Sequence, residues 1–148
     1  MVTIDRATPD DVTAISQILG ETEAYYGGDN APGDPAQIRA ALFGEHPIAT
    51  VLLARDGADV LGLASYSFLW PAAGAETSLF LKELYVRESA RRHGIAAQLM
   101  DAVRNAATAA GCSRVEWTAD ADNPPALAFY EAYGVRPRDD KPFYRVEK

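Results

Sequence analysis

Residues 78–110 dictate more of the architecture than any other stretch of the 148-residue chain. "SLFLKELYV" (78–86) reads as a strand. From Gly94 onward, Ile95, Leu99, Val103, Ala106 and Ala110 recur at helical spacing, so the connection 87–93 delivers the chain from that strand to a helix N-terminus. The first four N–H groups of a helix lack intrahelical partners, and the macrodipole adds about half a positive charge. Such a turn can receive an anion such as a pyrophosphate. Gly94 and Ala96 contribute by lacking side chains that would hold a phosphate away, while Arg91, Arg92 and His93 can add diffuse positive charge. A solvated helix start with basic residues would look the same from "RRHGIA" alone.

The elements around this unit are marked by local signals. "VTIDRA" (2–7) alternates like a strand, and a helix is expected to follow with Thr8 as N-cap, Pro9 at its first position and Asp11 at a capping-box place. A second helix is signed by Asp34-Pro35 and closed by Gly44, after a Gly/Pro/Asn/Asp-rich loop (27–34) that is a candidate lid. Strands are expected at 48–55 and 60–70, joined through Asp56-Gly57. "RVEWTAD" (114–120) reads as a further strand. Asn123 then caps a helix entered through Pro124 or Pro125, carrying Ala126, Phe129, Tyr130 and Tyr133 on one stripe and ended by Gly134. No repeat or low-complexity linker divides the chain, so a single domain over residues 1–148 is expected.

Composition narrows the function classes. Fourteen Lys and Arg stand against 21 Asp and Glu, a net charge of −7, which disfavours a nucleic-acid partner and would attract cations. The absence of a long apolar run or a signal-like N-terminus predicts a soluble cytoplasmic protein with no membrane partner. One cysteine, Cys112, excludes an intramolecular disulfide and reads as a buried spectator. His46 and His93 are too few and too separated for a metal site, so no metal is expected.

Two motifs then combine. Arg91-Gly94-Ala96 follows a strand, and Asn123-Ala126-Phe129-Tyr130-Gly134 follows some 30 residues later. In both motifs the sequence resembles the GNAT superfamily of acyl-CoA-dependent N-acyltransferases, and the order of elements extends the likeness over nearly the whole chain. A weaker similarity points toward the diamine (spermidine/spermine-like) and thialysine acetyltransferase branch. That branch carries two neighbouring acids where this chain has Lys82 then Glu83, which argues against a polyamine.

The resemblance implies an α/β fold with a bent, mostly antiparallel mixed sheet flanked by helices on both faces, acetyl-CoA as co-substrate, and a homodimer. It lays the pyrophosphate on Arg91, Arg92, His93, Gly94, Ile95, Ala96 and Ala97, chiefly on backbone amides. The pantetheine arm would run beside Leu84, Tyr85 and Val86, where this strand parts from the one at 114–119, with Asn123 and Ala126 flanking it. Tyr130 matches the usual general acid of the family; its place on an apolar stripe also suits a core residue with a tethered hydroxyl. Glu83 is the first choice for general base or ammonium anchor, against a reading as a solvated cross-strand partner. Glu21, Glu23, Asp29, Glu45, Glu116 and Asp120 could line an acidic acceptor cleft.

The chemistry asks for such groups. A primary amine of pKa ~10.4 is neutral in about one molecule in 2,500 at pH 7, an activation cost of roughly 4.6 kcal/mol, so something must take the ammonium proton. Attack on a thioester builds an oxyanion, for which a backbone N–H in 84–86 is a suitable donor, and expels a thiolate that a tyrosine can protonate. The expected function is acetyl transfer to a primary amine of a small cationic molecule (a diamine or polyamine, an amino acid or an amino sugar) by direct attack. The rival is a CoA-binding sensor or partner module without transfer. A dinucleotide-binding domain is disfavoured by the missing G-x-G-x-x-G and the antiparallel-looking strand order.

Overall fold

The structure, a computed structural model, describes residues 1–148. It contains two compact units, Met1–Thr118 and Ala119–Lys148. No helix is long and apolar enough to cross a membrane.

The first unit is built on a five-stranded sheet in the order β1-β2-β3-β4-β5, comprising Val2–Arg6, Thr50–Asp56, Asp59–Leu69, Ser78–Val86 and Arg114–Trp117. The first three pairings are antiparallel and β4–β5 is parallel, so the sheet is mixed as expected. Helices α1 (Val12–Tyr25), α2 (Pro35–Phe43) and α3 (Ile95–Ala109) pack with it. Val12, Ile15 and Ile18 of α1 and Ile38 of α2 share a core with Val51, Leu53, Val60, Leu63 and Tyr85. Strand β2 buries successive residues, Val51 to Ala54, because both of its faces are covered.

Two register shifts shape the sheet. Ala54 pairs with Gly62 but Arg55 with Val60, so Leu61 is an extra residue that turns Val60 back to the face of Leu63. Ser65 pairs with Glu83 but Tyr66 with Leu81, which makes Lys82 the extra residue of β4. Gly62 lets β3 approach β4 closely, since a Cβ there would lie 2.6 Å from the Tyr85 carbonyl oxygen.

The expected helix at Pro9 begins instead with a 3-10 turn, Pro9–Asp11, before α1. The expected cap is formed, with Thr8 as N-cap, Pro9 first and Asp11 in the capping box, and Asp11 serves a second partner as well. Its carboxylate accepts from the Thr8 N–H at 2.8 Å and from the Arg55 guanidinium of β2 at 2.7 Å. Asp34 caps α2 through the Ala36 N–H, also at 2.8 Å. The strands expected at 48–55 and 60–70 are Thr50–Asp56 and Asp59–Leu69, and the one expected at 114–120 stops at Trp117, where its pairing with β4 ends. The 27–34 loop is tied to α1: the Gly28 N–H donates to the Glu23 carbonyl at 2.8 Å, and the Gly33 N–H to that of Ser16 at 3.0 Å. Cys112 is half-buried rather than buried, just beyond α3, with its N–H on the Ala107 carbonyl.

The second unit holds α4, Pro124–Tyr133, entered through Pro124 and closed by Gly134 with a left-handed φ of 99°. Residues 135–148 contain no helix or strand.

Candidate active site

Strand β4 pairs with β3 along its whole length but with β5 only over Ser78–Leu81. From Lys82 to Val86 its β5-side edge has no ladder partner. The bulge at Lys82 sits at the point of divergence, as expected of a residue that bends a strand away from its neighbour. Beyond it, Glu83 and Tyr85 share one face by strand alternation, and Leu84 and Val86 the other. Tyr85 belongs to the core under α1 and α2, so Glu83 lies on that same face, half-buried.

After Val86 the chain makes a 3-10 turn at Glu88–Ala90, buries Ala90 and reaches Arg91 with extended ψ. Arg92 is the one non-glycine residue with positive φ, 68°, and Gly94 follows at 75°. The helix behind them is firmly seated: Ile95 is 3% exposed, and Leu99, Met100 and Val103 are fully buried. A Cβ on Gly94 would meet nothing within 4 Å, so glycine is required by its backbone conformation, and the space in front of the helix start is open. Arg91, Arg92, His93 and Gly94 are exposed, and Ala96 and Ala97 half-buried.

Arg91 differs from its neighbours. Its Nε donates to the Val86 carbonyl at 3.0 Å, and its guanidinium lies over two rings, 5.3 Å from the centroid of Tyr25 and 5.5 Å from that of Tyr85. Burial, and then the Glu21 carboxylate, push the Tyr85 phenol above its ordinary value, while Arg91 opposes the shift. The cation expected to add diffuse charge to the turn is thus engaged within the protein.

In the second unit Asn123 caps α4, its side-chain oxygen accepting from the Ala126 N–H at 3.4 Å. Phe129 lies 5.2 Å from Tyr130, edge to face, and 6.0 Å from Tyr133, stacked. Tyr130 is half-buried, and no residue of α4 is fully buried.

The free strand edge leads into a left-handed turn and a seated helix start, and the sequence profile of the acetyltransferase (GNAT) family matches residues 15–135. The chain belongs to the GNAT acetyltransferase family. An integron cassette protein from the mobile metagenome of V. cholerae is 34% identical and superimposes with a TM-score of 0.86 over 99% of this chain and 93% of its own. An aminoglycoside acetyltransferase from an uncultured soil metagenomic sample, 21% identical, shares the fold with a TM-score of 0.84 over 99% and 97% of the two chains. The L-ornithine N5-acetyltransferase of Arabidopsis thaliana is 31% identical over 77 residues, 52% of this chain but only 34% of that protein.

In this GNAT chain several polar groups at the site escape a reading of the sequence. Arg87 donates from Nε to Glu21 at 3.1 Å and from a terminal nitrogen to the Val60 carbonyl at 3.1 Å, joining the turn to α1 and β3. Its position directly after the strand is the only local hint. Two of the six carboxylates expected in an acidic cleft are engaged with partners: Glu21 with Arg87, and Glu116 with the Ser78 hydroxyl at 2.6 Å and with Arg114 at 3.7 Å. An open depression of about 570 Å³ beside the turn is lined by Glu21, Arg87, Glu88 and Ser89 rather than by the free edge of β4.

Proposed function

We propose that the chain is an acetyl-CoA-dependent N-acetyltransferase, one functional domain over residues 1–148, that acetylates a primary amine of a small cationic molecule. The observation that carries this reading is the continuity, within one unit, of an unpartnered β4 edge over 82–86 with the left-handed turn at Arg92 and Gly94. An extended amide-bearing arm can add to that edge as a strand adds to a sheet, and the helix-start amides before Ile95, with no neighbour crowding the Cα of Gly94, can receive a pyrophosphate.

In this reading the amides of Arg92, His93, Gly94, Ile95, Ala96 and Ala97 receive the pyrophosphate, in the turn that Arg91 opens, and the backbone of Leu84, Tyr85 and Val86 lines the arm. Asn123 and Ala126 flank it. Glu83 is assigned as the general base or the anchor of the ammonium. The amine nitrogen attacks the thioester carbon, a backbone N–H in 84–86 stabilises the oxyanion, the C–S bond breaks, and the Tyr130 hydroxyl protonates the thiolate. Two similar enzymes are named for amine acceptors, ornithine and aminoglycosides, which favours an acceptor of that class here. Net charge −7 points the same way. We take the setting as cytoplasmic, and the working form as a homodimer on the family resemblance.

Incubation of a panel of diamines, amino acids and amino sugars with acetyl-CoA, with detection of the released thiol, tests the reading. Turnover with cationic amines, weakened by added salt, is the expected result. Turnover confined to anionic or neutral amines would overturn the acceptor class, and CoA binding without turnover on any amine would mark a CoA-binding module instead.

A further inference from the structure

Arg91, although exposed and placed in the turn assigned to an anion, turns its guanidinium onto the Tyr25 and Tyr85 rings and donates to the Val86 carbonyl. We propose that Arg91 and Tyr25 form a clamp that positions the turn for pyrophosphate, with Arg91 holding the turn's shape and not contacting the phosphate through its side chain. The inference rests on the reading of this turn as the acyl-CoA site.

Three observations carry it. The Arg91 Nε–H meets the last carbonyl of β4, which fixes where the turn leaves the strand. The guanidinium is held between a ring of β4 and a ring from the end of α1, and these rings approach edge to face with centroids 6.2 Å apart. Arg92, immediately after, adopts the left-handed conformation that an L-residue keeps only where its surroundings impose it. The clamp supplies that constraint from one side, and Ile95, buried in the core, from the other. Tyr26 lies edge to face on Tyr25 at 5.0 Å, so the end of α1, where the 27–34 loop begins, is joined to the turn through consecutive ring contacts.

A phosphate contact and a clamp give different results when charge and shape are separated. Arg91→Lys keeps the charge but removes the planar fork and the Nε donor, and Tyr25→Leu keeps the charge and removes one ring. Under the clamp, each raises the KM for acetyl-CoA about threefold to tenfold, with kcat and the amine KM little changed. Tyr25→Phe, which preserves the ring, should stay closer to the parent in its acetyl-CoA KM than Tyr25→Leu. S-acetylpantetheine, which lacks the pyrophosphate, should lose nothing in either variant, a selectivity that general loosening of the fold would not produce. If Arg91→Lys binds acetyl-CoA as the parent does, or if both donors suffer equally, the clamp is wrong. Should Tyr25→Leu fail to fold, Tyr25→Met, which also removes the ring and leaves Arg91 in place, carries the same test. Gly94→Val separates failure of the clamp from failure of the site: were it to bind CoA like the parent, the turn would not be the cofactor site at all.

Discussion

The two stretches that carry the family motif are held in different ways. The turn at 91–97 leads into α3, whose Leu99, Met100 and Val103 are fully buried under the sheet, whereas α4, which bears Tyr130, has no fully buried residue and is defined by Asn123 at one end and Gly134 at the other. One stretch runs into a helix anchored by buried side chains, and the other carries a cap at each end and ring contacts among Phe129, Tyr130 and Tyr133. Truncating a buried residue of α3 should therefore register as lost stability, and removing the Tyr130 hydroxyl as lost turnover.

Tyr130→Phe gives the largest expected effect. It removes one hydroxyl and little volume, so kcat should fall by roughly 10²–10⁴ with the melting temperature and CoA affinity nearly unchanged. An active but destabilised variant would place Tyr130 with the core residues and erase the contrast between the stretches. Leu99→Ala tests the opposite side: a fully buried Leu cut to Ala should cost about 2–5 kcal/mol in denaturant unfolding. The matched change Leu127→Ala on α4, at a residue 37% exposed, should cost much less, and equal costs would refute the distinction. Asn123→Ala removes the α4 cap and should lower stability by about 1 kcal/mol, with hydrogen exchange rising first in residues 126–130.

The smallest effect concerns the start of α1. Hydrogen bonding to Arg55, ahead of the contribution from Thr8, holds the Asp11 carboxyl below its ordinary 3.8, against an opposing effect of burial. A carboxylate whose folded pKa is depressed stabilises the fold above the unfolded value and loses that contribution as pH falls through the folded one. The urea midpoint should therefore decline as pH drops below about 3.8, and Asp11→Asn should flatten that part of the profile. A variant with the parent's acid profile would show that the pair adds nothing there.

Signals confined to a few neighbouring residues were legible before any tertiary contact was considered. Asp34-Pro35 and Asn123-Pro124 open helices, Gly134 closes one, and Gly94 stands at the head of α3, because caps and left-handed positions depend on residues within one turn. The two-part motif was legible too, together with the mixed α/β sheet that it implies. Three features depended on the folded chain: the early end of β5, the extra residue at Lys82, and the partners of Arg91, Arg87, Glu21 and Glu116. Arg87 and Glu21 are 66 residues apart, and Ser78 and Glu116 are 38 apart. No local pattern encodes such pairs, since an exposed and an engaged carboxylate share the same neighbours in sequence. Which charges remain to meet a substrate is settled only when the sheet brings distant strands and helices together, by the geometry of hydrogen bonds that each charge can then reach.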